Sequence, residues 1–109
     1  MMSKIEITDE NFTELLNCGD KPLLIDVWAP WCGPCKLVGP ALEAIARDDP
    51  SRFSLAMANM ENFELTAEAL NVKATPTLLL FKNGEEVARR SGAMMKTQIN
   101  KWLDKHLVS

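Results

Sequence analysis

Residues 23–35 read Leu23-Leu24-Ile25-Asp26-Val27-Trp28-Ala29-Pro30-Trp31-Cys32-Gly33-Pro34-Cys35. Leu23 to Trp28 is a short apolar run broken by one acid, the pattern of a strand buried on both faces. It ends at a loop with two thiols in a CxxC spacing, and an apolar-periodic stretch follows from Lys36. That periodicity predicts a helix from about Pro34 to Ala46, with Leu37, Val38, Ala41, Leu42 and Ile45 as its core stripe. Pro40 lies inside it, so a bend is expected there, eased by Gly39. A helix that starts at the loop puts Cys32 at its N-terminus. Unpaired backbone N–H groups and the helix dipole stabilise a negative sulfur at that point. The thiolate is the species that attacks a disulfide, so this placement makes Cys32 the nucleophile. Cys35, in the first turn, is then the resolving thiol.

Between the cysteines, Pro34 fixes φ and suits a first helical turn, and Gly33 lets the backbone bend tightly. Neither is a charge or a histidine, so nothing there strongly favours the open dithiol, and a reducing couple is expected. Zinc sites use the same spacing. A zinc reading needs two further ligands, and Cys18 and His106 are the remaining cysteine and histidine.

Working outward, 109 residues fit one domain, 1–109, with a core that needs no disulfide staples. No apolar run approaches the length of a membrane span. The net charge of −3, with no basic run longer than Arg89-Arg90, leaves no electrostatic footprint for nucleic acid or anionic lipid. Met1 to Phe12 is polar and acidic rather than a secretory signal. Together with the sparse cysteines this predicts a cytoplasmic protein, and a monomer is expected.

Ile5 to Ile7 reads as a strand. Thr8 is expected to cap the next helix, with Asp9 and Glu10 in its first turn, Phe12, Leu15 and Leu16 on its apolar face, and Gly19 at its end. Phe53 to Met57 reads as a strand. Glu61 to Leu70 reads as a helix with Leu65, Ala69 and Leu70 facing in, closed by Asn71 in a left-handed conformation. Thr77 to Phe81 and Glu86 to Arg90 are strands joined by Lys82-Asn83-Gly84-Glu85, a strong hairpin signal. Lys96 to Leu107 is the last helix, with Ile99, Trp102, Leu103 and Leu107 inside. Met95 is a poor cap for it, so fraying is expected at its start. The order β-α-β-α-β-α-β-β-α predicts an α/β fold, a mixed sheet of about five strands flanked by four helices. The cysteines fall at the carboxyl end of a central strand, where open α/β sheets place their chemistry.

Trp28-Ala29-Pro30-Trp31-Cys32-Gly33-Pro34-Cys35-Lys36, Asp26, Thr75-Pro76-Thr77, Phe81-Lys82-Asn83-Gly84 and Gly92 together resemble the thioredoxin family over essentially the whole chain. The resemblance implies the thioredoxin fold and a protein-disulfide reductase working through a Cys32–Cys35 couple. It implies no bound cofactor, electrons from a thioredoxin reductase and NADPH, and disulfide-containing proteins as targets. Asp26 is similar to the family's buried carboxylate. Burial would raise its pKa and let it take the Cys35 proton, through water. Thr75-Pro76 resembles the cis-proline loop, whose backbone would pair with an extended target. Trp31, Pro34, Pro76, Gly92 and Ala93 would form an apolar patch for targets, with Trp28 packed behind the loop. Lys36 would add positive potential, chiefly as a solvated helix residue.

One departure stands out. The family commonly has a lysine where this chain has Met57, so Asp26 is expected to lose a cationic neighbour and stay protonated over a wider pH range. Met57 and Arg89-Arg90-Ser91 leave room for a reductase dedicated to one partner. A third reading is a binding subunit that uses the reduced surface without turnover. Cys18, at a helix C-terminus, reads as structural or incidental, His106 as a surface residue, and Met60, Met94 and Met95 as gap-fillers or adaptable contacts.

Overall fold

The computed structural model describes residues 5–107. The outermost ends of the 1–109 domain reading, including Met1–Lys4 of the N-terminal stretch, lie outside them. The chain order is β1 (Ile5–Glu6), α1 (Phe12–Leu16), β2 (Leu23–Trp28), α2 (Cys35–Asp48), β3 (Ser54–Asn59), a 3-10 turn (Met60–Asn62), α3 (Glu64–Ala69), β4 (Thr77–Lys82), β5 (Glu85–Ser91) and α4 (Lys96–Leu107). The strands form one sheet in the order β1-β3-β2-β4-β5. β1 and β2 run parallel to β3, β4 runs antiparallel to β2, and β5 antiparallel to β4. This is the mixed sheet expected from the sequence, with helices on both faces. Among the described residues, no helix is long and apolar enough to cross a membrane.

Successive strand residues face opposite ways, and the apolar residues divide accordingly. Leu24, Leu55, Leu78 and Leu80 pack beneath Val38, Leu42 and Ile45 of α2 and Ile99, Trp102 and Leu103 of α4. On the other face, Ile25, Val27, Ala56, Leu79 and Phe81 pack against Phe63, Ala67 and, from α1, Phe12, Leu15 and Leu16. Each fully buried Leu or Ile side chain stabilises the fold by about 1.5–3 kcal/mol, far above the worth of a surface ion pair. β2 lies at the middle of the sheet, and this two-sided burial is why its sequence is a continuous apolar run.

Several local expectations are corrected. Leu37 is 73% exposed, not part of the α2 stripe. With the helix starting at Cys35, the buried positions are Cys35, Val38, Gly39, Leu42 and Ile45, and Leu37 falls on the opposite flank. Leu65 is 72% exposed and Ala69 is exposed too. The 3-10 turn and the break at Phe63 reset the helical phase, so Phe63 and Ala67 face in instead, with Leu70 half-buried. Thr8 does not cap α1, which begins only at Phe12 after Asn11. The Thr8 amide instead donates to Asn11 Oδ1 at 2.7 Å, and Asn11 Nδ2 donates to the Glu6 carbonyl at 3.0 Å. α1 ends at Asn17, two residues before Gly19.

Asp9 serves a different helix from the one expected. Its carboxylate accepts the Leu65 amide (3.2 Å), the Thr66 amide (2.8 Å) and the Thr66 hydroxyl (2.7 Å), capping α3 from across the chain. Burial opposes ionisation of Asp9, but these hydrogen bonds outweigh it and hold the carboxyl below its ordinary value. At the start of α4, the Met95 amide donates to Gln98 Oε1 at 2.8 Å, half of a capping box that supplies what the methionine lacks. His106 is half-buried, its ring 5.5 Å from that of Trp102. Asn71 has φ 62°, and Asn83 and Gly84 have φ 54° and 80°, the left-handed pair that a two-residue hairpin loop requires.

Candidate active site

Cys32 and Cys35 are joined by a disulfide with 5.4 Å between Cα atoms. The loop delivers them straight from the end of β2 into α2. Pro34 occupies the N-cap and offers no side chain to the first-turn amides. The Cys35 amide donates to Cys32 Sγ at 3.2 Å, so the sulfur takes the role a capping oxygen would have. A negative sulfur there accepts the Cys35 N–H and lies at the positive end of the helix dipole. Both residues are buried, Cys32 7% and Cys35 6% exposed, and their positions relative to α2 separate them. Both pack with Ala29, Trp28 and Met60. Gly33, Pro34 and Lys36 are exposed, and Trp31 is 69% exposed.

Asp26 is fully buried. It pairs with Met57 of β3 on one side and Leu78 of β4 on the other, on the face covered by α2. Above it lies Gly39. A Cβ on Gly39 would come within 3.9 Å of Asp26 Oδ2 and 3.8 Å of the Met57 methyl. Gly39 follows Cys35 by four residues, so the carboxyl sits about one helical turn from Cys35 on the same face of α2. Neither carboxylate oxygen has a hydrogen-bond partner among the described residues. Burial, and then the like charge of Glu43, push the carboxyl up to about 7. Met57 contributes no cation, and the charge that acts on Asp26 is a second acid.

The Thr75–Pro76 peptide is cis. Thr77 pairs with Val27, which brings Pro76 to the end of the sheet where β2 passes into the cysteine loop. The Gly92 amide donates to the Pro76 carbonyl at 2.9 Å, and the Thr77 hydroxyl donates to the Ala74 carbonyl at 2.6 Å. Gly92 has φ 98°, a conformation strained for any residue with a Cβ. In the expected apolar patch Pro76 is buried, as both cysteines are, while Gly92 is half-buried and Trp31, Pro34 and Ala93 are exposed; Thr75 beside it is half-buried. Proline lies beneath the surface there because it leads into the core strand β4.

Gly39 and Met60 join the site although the sequence suggests other roles for them, and Glu43 joins it with no sequence signal. Gly39 was legible only as relief for Pro40, although its spacing from Cys35 carried the signal. Glu43 follows Gly39 by one further turn. Met60 looked like a gap-filler, and only the β3 crossover brings it to the cysteines. Cys18 is exposed and unpaired on α1's far end. Among the described residues, no three His, Cys, Asp or Glu side chains are grouped to hold a metal ion.

The thioredoxin family model matches residues 3–105. The chain is 36% identical over 107 residues to a thioredoxin of Haemophilus influenzae, covering 98% of this chain and 100% of that protein. It is 41% identical over 103 residues to thioredoxin 2 of Chlorobaculum tepidum, covering 94% of each, and 36% identical over 103 residues to a thioredoxin of Pseudomonas aeruginosa, covering 94% and 95%. The chain belongs to the thioredoxin family, and its Cys32–Cys35 pair is the dithiol/disulfide couple of a thiol–disulfide oxidoreductase.

Proposed function

We propose that this chain reduces protein disulfides as a general, monomeric, single-domain cytoplasmic reductant. The Cys32 thiolate attacks a target disulfide, forming the Cys32–target bond and releasing one target thiolate, which takes a proton from water. The Cys35 thiol gives its proton to the Asp26 carboxylate, through water, and attacks Cys32 Sγ. The Cys32–target bond breaks, the second target sulfur leaves as a thiolate that takes back the proton held by Asp26 through water, and Cys32–Cys35 closes. The target gains two electrons and this protein loses them. A thioredoxin reductase drawing on NADPH returns the dithiol, and the chain itself binds no cofactor. Trp31 and Ala93 give targets an apolar footing, and the Thr75 backbone pairs with an extended segment.

One observation carries this reading: the Cys35 amide on Cys32 Sγ at the start of α2. Alkylation kinetics of the reduced protein test it. Cys32 should react at least about tenfold faster than Cys35 near neutral pH, as a lowered thiol pKa demands. Equal, slow rates would sink it. Reduction of insulin and of unrelated disulfide proteins separates a general reductant from a dedicated one. A pure binding role would survive replacement of both cysteines by serine.

A further inference from the structure

Glu86 and Arg89 are three apart on a strand, so regular alternation would put them on opposite faces of the sheet. They meet nonetheless: the Arg89 fork donates to both Glu86 carboxylate oxygens. The register explains it. Leu79 pairs with Arg89 and Leu80 with Ala88, but Phe81 pairs with Glu86, so Val87 is bulged out between them. The bulge re-phases the strand and turns both charged residues to the face that carries α3.

Arg89 also reaches off the sheet. It donates to the Leu70 carbonyl at 2.8 Å and to the Asn71 carbonyl at 3.4 Å. Leu70 is the C-cap of α3; the Thr66, Ala67 and Glu68 carbonyls are met by the Leu70, Val72 and Asn71 amides, and Arg89 takes the carbonyls of the cap and of the residue after it. Glu86 hydrogen-bonds the guanidinium and raises its pKa against the pull of partial burial, so the fork stays charged. The segment that starts there, 71–76, leads directly to the cis peptide. At its far end it is tied to the same strand: Thr77 shares a hydrogen bond with Ser91 at 3.0 Å, and Gly92 bonds Pro76. Asn71 and Val72 further line a shallow groove with Met60, which packs against the cysteines.

We propose that Arg89 is a positioning residue for target capture: braced by Glu86, it ties β5 to the end of α3 and sets the path of residues 71–76 beside the disulfide. This rests on the reading that targets dock along Thr75. Arg89 touches neither sulfur, so its loss changes how targets bind and leaves the couple itself alone. As a partly exposed ion pair it adds little to global stability.

Insulin reduction and reduction of a small aromatic disulfide, 5,5′-dithiobis(2-nitrobenzoate), are compared in wild type, Arg89→Gln and Arg89→Lys. Arg89→Gln should raise KM for insulin about threefold to tenfold, the span one hydrogen-bonded tether supports. The kcat, the rate on the small disulfide and the Cys32–Cys35 potential should stay at wild-type values. Arg89→Lys, which keeps the charge and reaches one carbonyl, should recover part of the loss. Amide exchange across 71–76 should quicken in Arg89→Gln. An unchanged KM, unchanged exchange, or an equal loss on the small disulfide would overturn the proposal. If the wild type itself fails to reduce insulin, the reductase reading fails first and takes this one with it.

Discussion

Asp26 carries the strongest consequence of a single residue's surroundings. It is buried without a hydrogen-bond partner among the described residues, and a Cβ added at Gly39 of α2 would come within 3.9 Å of its Oδ2. In the folded, oxidised protein its carboxyl titrates at about 7, against an ordinary value of 3.8. Between those values the native state holds a proton that the unfolded chain has lost, so stability falls as pH rises from about 4 to 7 and levels above. Asp26→Asn abolishes that slope. Its melting temperature relative to wild type should climb across this window, by about 5 °C or more at pH 8, the shift that ~1 kcal/mol produces in a domain of this size. Thermal melts at pH 4, 6 and 8 check it. A constant offset at all three would contradict the raised carboxyl. Met57→Lys sets a cation beside Asp26 on the neighbouring strand and should bring its titration below 7, read by NMR of the carboxyl carbon. The third residue-scale outcome concerns resolution. Cys35→Ser should hold a covalent Cys32–target complex on non-reducing gels and lose turnover by about 100-fold or more, the size expected when one nucleophilic step is removed.

Among the elements, α3 shows how far a short helix depends on the rest of the chain. Six residues are too few to stand alone in water. Its first turn is capped by Asp9, and the carbonyl of its C-cap, Leu70, is met by Arg89. Asp9→Ala should cost about 1 kcal/mol in urea unfolding, as loss of a cap does. Because the folded carboxyl lies below its ordinary value, this contribution is present above the unfolded pKa and fades as pH falls through the folded one. The difference between Asp9→Ala and wild type should therefore narrow toward low pH, and an undiminished gap would point to packing instead. The faces of α2 and α3 were read less well than their existence. Leu37 and Leu65 are apolar and sit at helical spacing, yet both face solvent. Periodicity gives the repeat of a stripe but not its phase, which depends on where the first turn starts. The capping of α4 by Gln98, by contrast, is legible in the sequence, because a glutamine three residues after the cap position is half of a capping box whatever residue stands at the cap.

At the scale of the molecule, β2 and β4 form the stem on which both cores and the disulfide are mounted. Leu80 is fully buried beneath α2 and α4. Leu80→Ala should cost about 2–5 kcal/mol in a single unfolding transition monitored by fluorescence and circular dichroism. Non-coincident transitions would show that the two faces unfold separately. The site lies at one end of this sheet because three strand junctions reach it together: β2 into the cysteine loop, β3 into Met60, and the cis peptide into β4.

The order of strands and helices, the Asn83-Gly84 hairpin and the cysteine pair at the head of a helix were determined by the sequence alone. Each depends on neighbours within a few residues: alternation, turn conformation, or the dipole of the next turn. Tertiary structure decided which flank of each helix is buried, that Asp9 caps α3 rather than α1, that Gly39 lies over Asp26 and that the charge of Glu43 acts on it. It also decided that a bulge turns Glu86 and Arg89 to one face. These join residues far apart in the chain or depend on the phase of an element, and local pattern carries no record of what will be packed against it.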